Sequence, residues 1–149
     1  MEKRAFRTYL NNGSKDYLKV NCFEYENGYL VTDTYSIIKL NQTNDLQVNK
    51  DIMGIINIFK EFDMNYTKLK DLEINFDLDK QNIQFEEWLK DDKKYSIDIK
   101  LAKRIKRIIN FDKVELLYIY KNVYGYNYVI KLENTKTNEK AYLLPMRVF

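Results

Sequence analysis

The stretch IDIKLAKRIKRII (97–109) has the clearest helix pattern in the chain, and three strand-like segments follow it: VELLYIYK (114–121), YNYVIKL (126–132) and KAYLLPMRV (140–148). At about 100° per residue, the apolar side chains of 97–109 fall on one side of a helix. The cations fall on the other side. This periodicity predicts an amphipathic helix, and the three segments after it are predicted to be strands.

Working outward from this helix, the chain alternates between strand and helix patterns. YLKVNCF (17–23) alternates as a half-buried strand does, and Asn27-Gly28 is a hairpin signal that makes 29–40 the predicted return strand. The other predicted elements are a short helix at 3–10, a helix at 49–62 and a strand pair at 72–78 and 82–88. This order predicts an α+β fold.

The length of 149 residues favours a single domain that spans 1–149. With one proline and four glycines, the chain has no Pro/Gly/Ser-rich linker that would signal a boundary. The net charge is only +3, so the placement of charges decides whether a polyanionic partner is favoured.

Several classes of chemistry are disfavoured by composition. The chain has no histidine, which removes the commonest general base, the commonest metal ligand and every Ser-His or Cys-His arrangement. The single cysteine, Cys22, cannot form an intramolecular disulfide or a cysteine-rich zinc site. We therefore expect a protein that is not an enzyme and that takes no metal and no cofactor.

The hydropathy pattern gives an expectation for where in the cell the protein lies. No segment approaches the roughly 20 apolar residues of a membrane span. The N-terminal segment MEKRAFRTYLNNGSKDY has no apolar core of signal-peptide length. We expect a cytoplasmic protein that does not interact with membranes.

Two predicted helices carry basic faces. The helix at 97–109 has five cations within eight residues, and the helix at 3–10 adds a second basic turn. Such faces attract phosphates without reading bases. The alternative is a solvated face of an ordinary amphipathic helix. The candidate DNA-binding residues are Lys3, Arg4, Arg7, Lys100, Lys103, Arg104, Lys106 and Arg107.

The chain ends in AYLLPMRVF (141–149), which resembles the C-terminus of the bacterial sliding clamp, the beta subunit of the replicative DNA polymerase. YSIDIKLAKRIKRIINFDKVELLYI (95–119) is similar to the last helix and following strand of that family. ENGYLVTDTYSIIKL (26–40) is similar to its Thr-Asp hairpin, although Thr34-Tyr35-Ser36 stands where the family has Gly-His-Arg. Residues 41–92 do not align and are interpreted as a possible insertion.

The resemblance implies a single sliding-clamp-like domain with its helices on one face of antiparallel sheets. The basic helices would face double-stranded DNA, and several copies of so short a chain would be needed for a ring. A replication or repair protein would insert a short hydrophobic peptide between the hairpin and the tail. The matching positions are Thr32, Asp33, Tyr35, Ile37, Leu144, Pro145, Met146, Arg147 and Val148.

Three hypotheses follow. The first is a clamp-like protein of DNA replication or repair that contacts DNA phosphates, a client peptide or both. The second is a small regulatory module, encoded by a phage or mobile element, that binds replication proteins without forming a ring. The third is an unrelated α+β interaction domain whose tail closes the core as an ordinary edge strand.

Overall fold

A computed structural model describes residues 21–33, 35–42, 48, 54–83, 94–119 and 128–148. Within these ranges the chain forms ten strands and two helices. The helices are α1 (Ile55–Met64) and α2 (Ile99–Ile109). The strands are β1 (Asn21–Tyr25), β2 (Gly28–Thr32), β3 (Ser36–Leu40), β4 (Tyr66–Asp71), β5 (Lys80–Ile83), β6 (Lys94–Asp98), β7 (Lys113–Ile119), β8 (Tyr128–Glu133), β9 (Lys140–Leu143) and β10 (Met146–Val148).

Seven strands form one antiparallel sheet in the order β1-β2-β3-β9-β8-β7-β4. It consists of two meanders, β1-β2-β3 and β7-β8-β9, joined where β3 pairs with β9, and β4 extends it beyond β7. The other three strands form a small antiparallel sheet in the order β10-β6-β5. The sheet that organises the fold therefore joins the first third of the chain to the last.

Both faces of the large sheet are apolar. Successive side chains of a strand point to opposite faces, and Leu116 and Leu117 of β7 are both fully buried, each in a different core. Ile37 and Ile38 of β3 divide in the same way. An antiparallel sheet with two apolar faces needs a covering layer on each side.

The two helices supply cover on opposite faces. Ile55, Phe59 and Phe62 of α1 share one core with Leu117 and Tyr142. Six buried residues of α2 belong to the other core, which also contains Ile83 and Ile97 of the small sheet. The expected α+β sliding-clamp arrangement, with the helices on one face of the sheets, is therefore wrong. The structure is mostly β, with a large sheet between α1 on one side and α2 and the small sheet on the other.

The expected return strand over 29–40 is also wrong, because two antiparallel strands, β2 and β3, occupy it. The Asp33 side chain accepts hydrogen bonds from the backbone N–H groups of Tyr35 and Ser36, which turns the chain at this point. The β1–β2 hairpin is confirmed, but its turn is Glu26-Asn27, and Gly28 is the first residue of β2, opposite Tyr25. At Gly28 a Cβ would lie 2.3 Å from the Leu40 carbonyl oxygen, so the approach of β2 to the end of β3 requires glycine.

The middle of the chain differs most from expectation. The predicted helix at 49–62 is found as α1, which begins after Gly54 at a φ of 71°, while 49–53 lie outside the described ranges. The predicted strand at 72–78 is wrong, because an irregular connection follows β4 there. Of the predicted strand at 82–88, residues 82–83 belong to β5 and 84–88 lie outside the described ranges. The described part of 41–92 is integrated into the fold, because α1 and β4 join the large sheet and β5 joins the small one.

Candidate nucleic-acid interface

Helix α2 is specified by its caps and by its apolar side. Asp98 is the N-cap, and its carboxylate accepts a hydrogen bond from the Leu101 N–H at 3.2 Å. Asn110 ends the helix in the left-handed conformation, and its N–H donates to the Lys106 carbonyl oxygen at 2.9 Å. Six of the eleven residues are buried against the sheet. The opposite side of α2 is consequently fixed in its orientation toward solvent.

That opposite side carries four of the predicted DNA-binding residues, here called the basic stripe: Lys100, Lys103, Arg104 and Arg107. Lys100, Lys103 and Arg107 are exposed and Arg104 is half-buried. Seven residues separate the ends of the stripe, which is about 10 Å along the helix axis. In the described part of the chain, no ion pair involves any of the four, whereas five lysines elsewhere pair with carboxylates.

The charge arrangement of the stripe opposes helix stability. Its members form four like-charged pairs at i, i+3 or i, i+4 spacing. Each such pair destabilises a helix by about 0.2–0.5 kcal/mol, so the four together weaken α2 by about 1–2 kcal/mol. The first turn contains no acidic residue and does contain Lys100, although the positive end of the helix dipole favours anions there. A polyanion along this face would remove both penalties.

Lys106 lies on the flank of α2 and is held by its own chain. Its ammonium group donates to the Phe111 carbonyl oxygen and lies 4.8 Å from the centre of the Phe111 ring. It also lines a cavity of about 360 Å³ whose other walls are mainly apolar. The structure therefore separates Lys106 from the basic stripe. The predicted DNA-binding residues Lys3, Arg4 and Arg7 lie outside the described ranges.

The predicted peptide-binding hairpin is organised around Asp33. Its Oδ1 accepts hydrogen bonds from the Tyr35 N–H at 3.0 Å, the Ser36 N–H at 2.8 Å and the Ser36 hydroxyl at 2.9 Å. The Thr32 hydroxyl donates to the Ser36 carbonyl oxygen at 2.7 Å. Burial raises the pKa of the Asp33 carboxyl, and these hydrogen bonds act against that shift. These hydrogen bonds of the Thr32 and Asp33 side chains are thus made within the β2–β3 turn.

The structure brings the hairpin and the start of the tail together. Ser36 is opposite Leu143 in the β3–β9 pair, and the Leu144 N–H donates to the Tyr35 carbonyl oxygen at 3.0 Å. The Tyr35 side chain is 60% exposed, whereas Ile37 is buried in the core under α1. Leu144 packs against that same core. We call the surface formed by Tyr35, Leu144, Pro145 and Met146 the hairpin–tail surface.

The rest of the tail is a strand. Met146, Arg147 and Val148 form β10, which pairs with β6 at Ser96, Tyr95 and Lys94. Pro145 lies between β9 and β10, where no strand hydrogen bond requires an N–H. Three of the nine residues of the predicted peptide site therefore belong to the small sheet.

In the described ranges, the side chains that could bind a metal ion or act as a nucleophile are not arranged for either role. No group of three or more His, Cys, Asp or Glu side chains there could hold a metal ion. Cys22 is buried, and burial raises the pKa of its thiol to about 11, which disfavours the thiolate. Across the same ranges no helix is long and apolar enough to span a membrane.

Two polar clusters were missed from the sequence. Asp63 of α1 accepts from the Tyr142 hydroxyl at 2.6 Å and the Lys140 ammonium group at 2.7 Å, across 77 or more residues of chain. Asn134 and Asp112 hold the β8–β9 turn against the end of α2. The Asp63 cluster has no local sequence signal, because its members are far apart in the chain. The Asn134 cluster has one, because Asn134-Thr135 directly follows a strand and has the residue types of a turn.

Comparisons of the chain with protein-family models, curated proteins and solved structures find no match. The functional conclusion therefore depends on the surfaces themselves. Of these, the basic stripe combines exposure, charge that has no ion-pair partner among the described residues, and a rigid support.

Proposed function

We propose that this protein is a non-enzymatic module that binds double-stranded DNA without reading its sequence, through the basic stripe of α2. The observation that carries the proposal is the set of four cations that repel one another and have no acidic partner in the described ranges. Arginine and lysine side chains that neutralise phosphates supply most of the affinity of sequence-independent binding.

The shape of the surface favours phosphates over base edges. Helix α2 lies along the sheet with more than half of its residues buried, so it presents only one cationic side. A helix that reads bases must enter the major groove, whereas a flat cationic side suits the backbone.

The surroundings of the stripe favour a duplex over a single strand. Proteins that bind single strands stack bases on exposed aromatic side chains. Among the described residues the markedly exposed aromatic side chains are Tyr35 and Tyr66. Neither belongs to α2, and the Tyr66 ring lies under Lys131 at the start of β4.

A role in DNA replication or repair follows only from the resemblance of the tail, the last helix and the hairpin to the sliding clamp. Because the helices cover opposite faces of the sheet, we favour the hypothesis of an interaction module that does not form a ring.

A charge-reversal pair tests the proposal. Lys103→Glu and Lys60→Glu change the net charge equally at exposed helical positions, but α2 and α1 cover opposite faces of the sheet. At low salt we expect Lys103→Glu to weaken binding to a mixed-sequence duplex by about tenfold, and by the same factor on a second duplex of different sequence. We expect Lys60→Glu to change binding less than twofold.

The triple variant Lys103→Glu, Arg104→Glu, Arg107→Glu should abolish measurable binding while its unfolding transition stays cooperative. Absence of duplex binding by the unmodified protein at low salt would overturn the proposal. An equal loss from Lys103→Glu and Lys60→Glu would also overturn it, because binding would then follow net charge rather than this surface.

A second candidate function is recognition of a short hydrophobic peptide at the hairpin–tail surface. The observation in its favour is the Leu144–Tyr35 backbone hydrogen bond, which holds the backbone of an exposed aromatic residue beside the tail. Tyr35→Ala should abolish binding of a labelled hydrophobic peptide and leave the unfolding midpoint almost unchanged, since the side chain is mostly exposed. Unchanged peptide affinity in Tyr35→Ala would exclude this surface.

A further inference from the structure

We propose that the β8–β9 turn, residues 134–138, is a second phosphate-contact element that extends the basic stripe, with Lys136 as its cation. This inference rests on the proposed function. It adds a part of the chain that no helix pattern or resemblance indicates.

The turn is attached to the C-terminal end of α2. The Asn134 side-chain amide donates to the Ile109 carbonyl oxygen at 2.8 Å and the Asn110 carbonyl oxygen at 3.3 Å. Both Asp112 oxygens accept from Thr135, one from its N–H at 2.8 Å and one from its hydroxyl at 2.6 Å. The turn therefore keeps a fixed place relative to the helix that carries the stripe.

The turn is also rigid within itself. Asn134 Oδ1 accepts from the N–H groups of Lys136 at 2.9 Å and Thr137 at 3.2 Å. Asn138 adopts a φ of 63° and donates its N–H to the Asn134 carbonyl oxygen at 2.9 Å. The side-chain amide of Asn41, the residue after β3, donates to the Thr137 carbonyl oxygen. A surface loop held in this way loses little conformational entropy when it contacts a ligand.

The side chains at the tip suit a phosphate backbone. Thr135, Lys136, Thr137 and Asn138 are all exposed. Hydroxyl, amide and lysine side chains are the groups that contact phosphate and sugar oxygens in protein–DNA complexes. The carboxylates at the base of the turn, Asp112 and Glu139, both accept backbone N–H groups. Lys136 forms no ion pair in the described ranges; hydrogen bonds from Thr135, and to a smaller extent the charge of Lys136, lower the pKa of the Asp112 carboxyl.

The turn is attached at the end of α2 that carries the last stripe residue. Asn110, which accepts from Asn134, follows the last stripe residue, Arg107, by three residues, or about 5 Å along the axis. The stripe itself spans about 10 Å. Along the helix axis, the stripe and the attachment point of the turn together cover a length of about five base pairs at ~3.4 Å per pair.

Lys136→Glu tests the inference, with Lys60→Glu as the matched control, on the duplex used for the stripe. We expect Lys136→Glu to weaken binding about three- to tenfold at low salt and to lower the dependence of log K on log salt by about 1. The control should change neither quantity.

The outcomes distinguish the two proposals. If the stripe triple variant loses binding and Lys136→Glu binds like the unmodified protein, the turn does not contact DNA and the proposed function stands. If the unmodified protein does not bind duplex DNA, or if the stripe variant binds equally well, the proposed function fails and this inference fails with it.

Discussion

Two lysines on the same helix illustrate how environment separates structural from binding residues. Lys103 is exposed, with no acidic partner in the described ranges. Lys106, three residues later, donates to the Phe111 carbonyl oxygen and covers the Phe111 ring. It also neutralises the negative end of the helix dipole. Sequence periodicity placed both in one basic face, because periodicity specifies direction around the helix and not the contacts of a long side chain.

Replacing each lysine by alanine separates these roles. We expect Lys106→Ala to lower the free energy of unfolding by about 1–2 kcal/mol, through loss of a hydrogen bond, a ring contact and a dipole interaction. Lys103→Ala should leave it unchanged or raise it by a few tenths of a kcal/mol, since like-charge repulsion is relieved. Urea denaturation measures both. Equal destabilisation by the two variants would contradict the assignment.

At the scale of elements, the Asp63 carboxylate of α1 is hydrogen-bonded to two side chains of β9 in the large sheet. Burial alone would raise the pKa of Asp63, but hydrogen bonds from Lys140 and Tyr142 outweigh that effect and hold the pKa below its usual range. Phe59 and Phe62 stack edge-on against the Tyr142 ring beside this cluster. Docking of α1 thus combines aromatic packing with a charge-assisted hydrogen-bond pair.

The lowered pKa of Asp63 predicts a specific pH dependence. As the pH falls, the Asp63 carboxyl of the unfolded chain takes up a proton first, at a pKa of about 3.9. The stabilisation is therefore complete at higher pH and is lost as the pH falls through the pKa of Asp63 in the folded state. Asp63→Asn should lower the free energy of unfolding by about 1–3 kcal/mol at neutral pH. The gap between variant and unmodified protein should shrink below about pH 4. Parallel stability curves over that range would contradict the role of Asp63.

How far the sequence predicts an element depends on where its determinants lie. Helix α2 was predicted within two residues, because its cap, apolar side and end signal are all local. The β2–β3 turn was missed, because it depends on one aspartate whose side chain replaces backbone partners. The irregular connection after β4 was taken for a strand, because its alternating Leu72, Ile74 and Phe76 pack against the core under α2 without strand pairing.

For the candidate site, helical periodicity predicted the basic face of α2, and the resemblance to the sliding clamp implied that the hairpin and the tail lie together. The sequence did not predict that β10 joins the small sheet, since strand order is set by long-range packing. Nor did it predict that the β8–β9 turn is attached to the end of α2, because the Asn134 hydrogen bonds that attach it cross 24 and 25 residues.

At the scale of the whole molecule, the apolar runs of the central strands determine the architecture. IIKL in β3, LLYI in β7 and YVIKL in β8 each place apolar side chains on both faces of the sheet. A sheet with helices on one face only would leave one of these apolar faces in water. The layer on each side removes that exposure, and Lys100, Lys103 and Arg107 on the outer side of α2 are exposed.

The salt dependence of duplex binding tests the central claim most directly. The measurement is the slope of log K against log salt for one mixed-sequence duplex, with the unmodified protein and the Lys103→Glu, Arg104→Glu, Arg107→Glu variant titrated side by side. Each neutralised phosphate contributes about −0.9 to the slope, so four stripe cations predict a slope of about −3.6. A contact from Lys136 would make the slope steeper by about 0.9. The variant should bind too weakly to measure. A slope near zero, or the same slope in both proteins, would contradict the account.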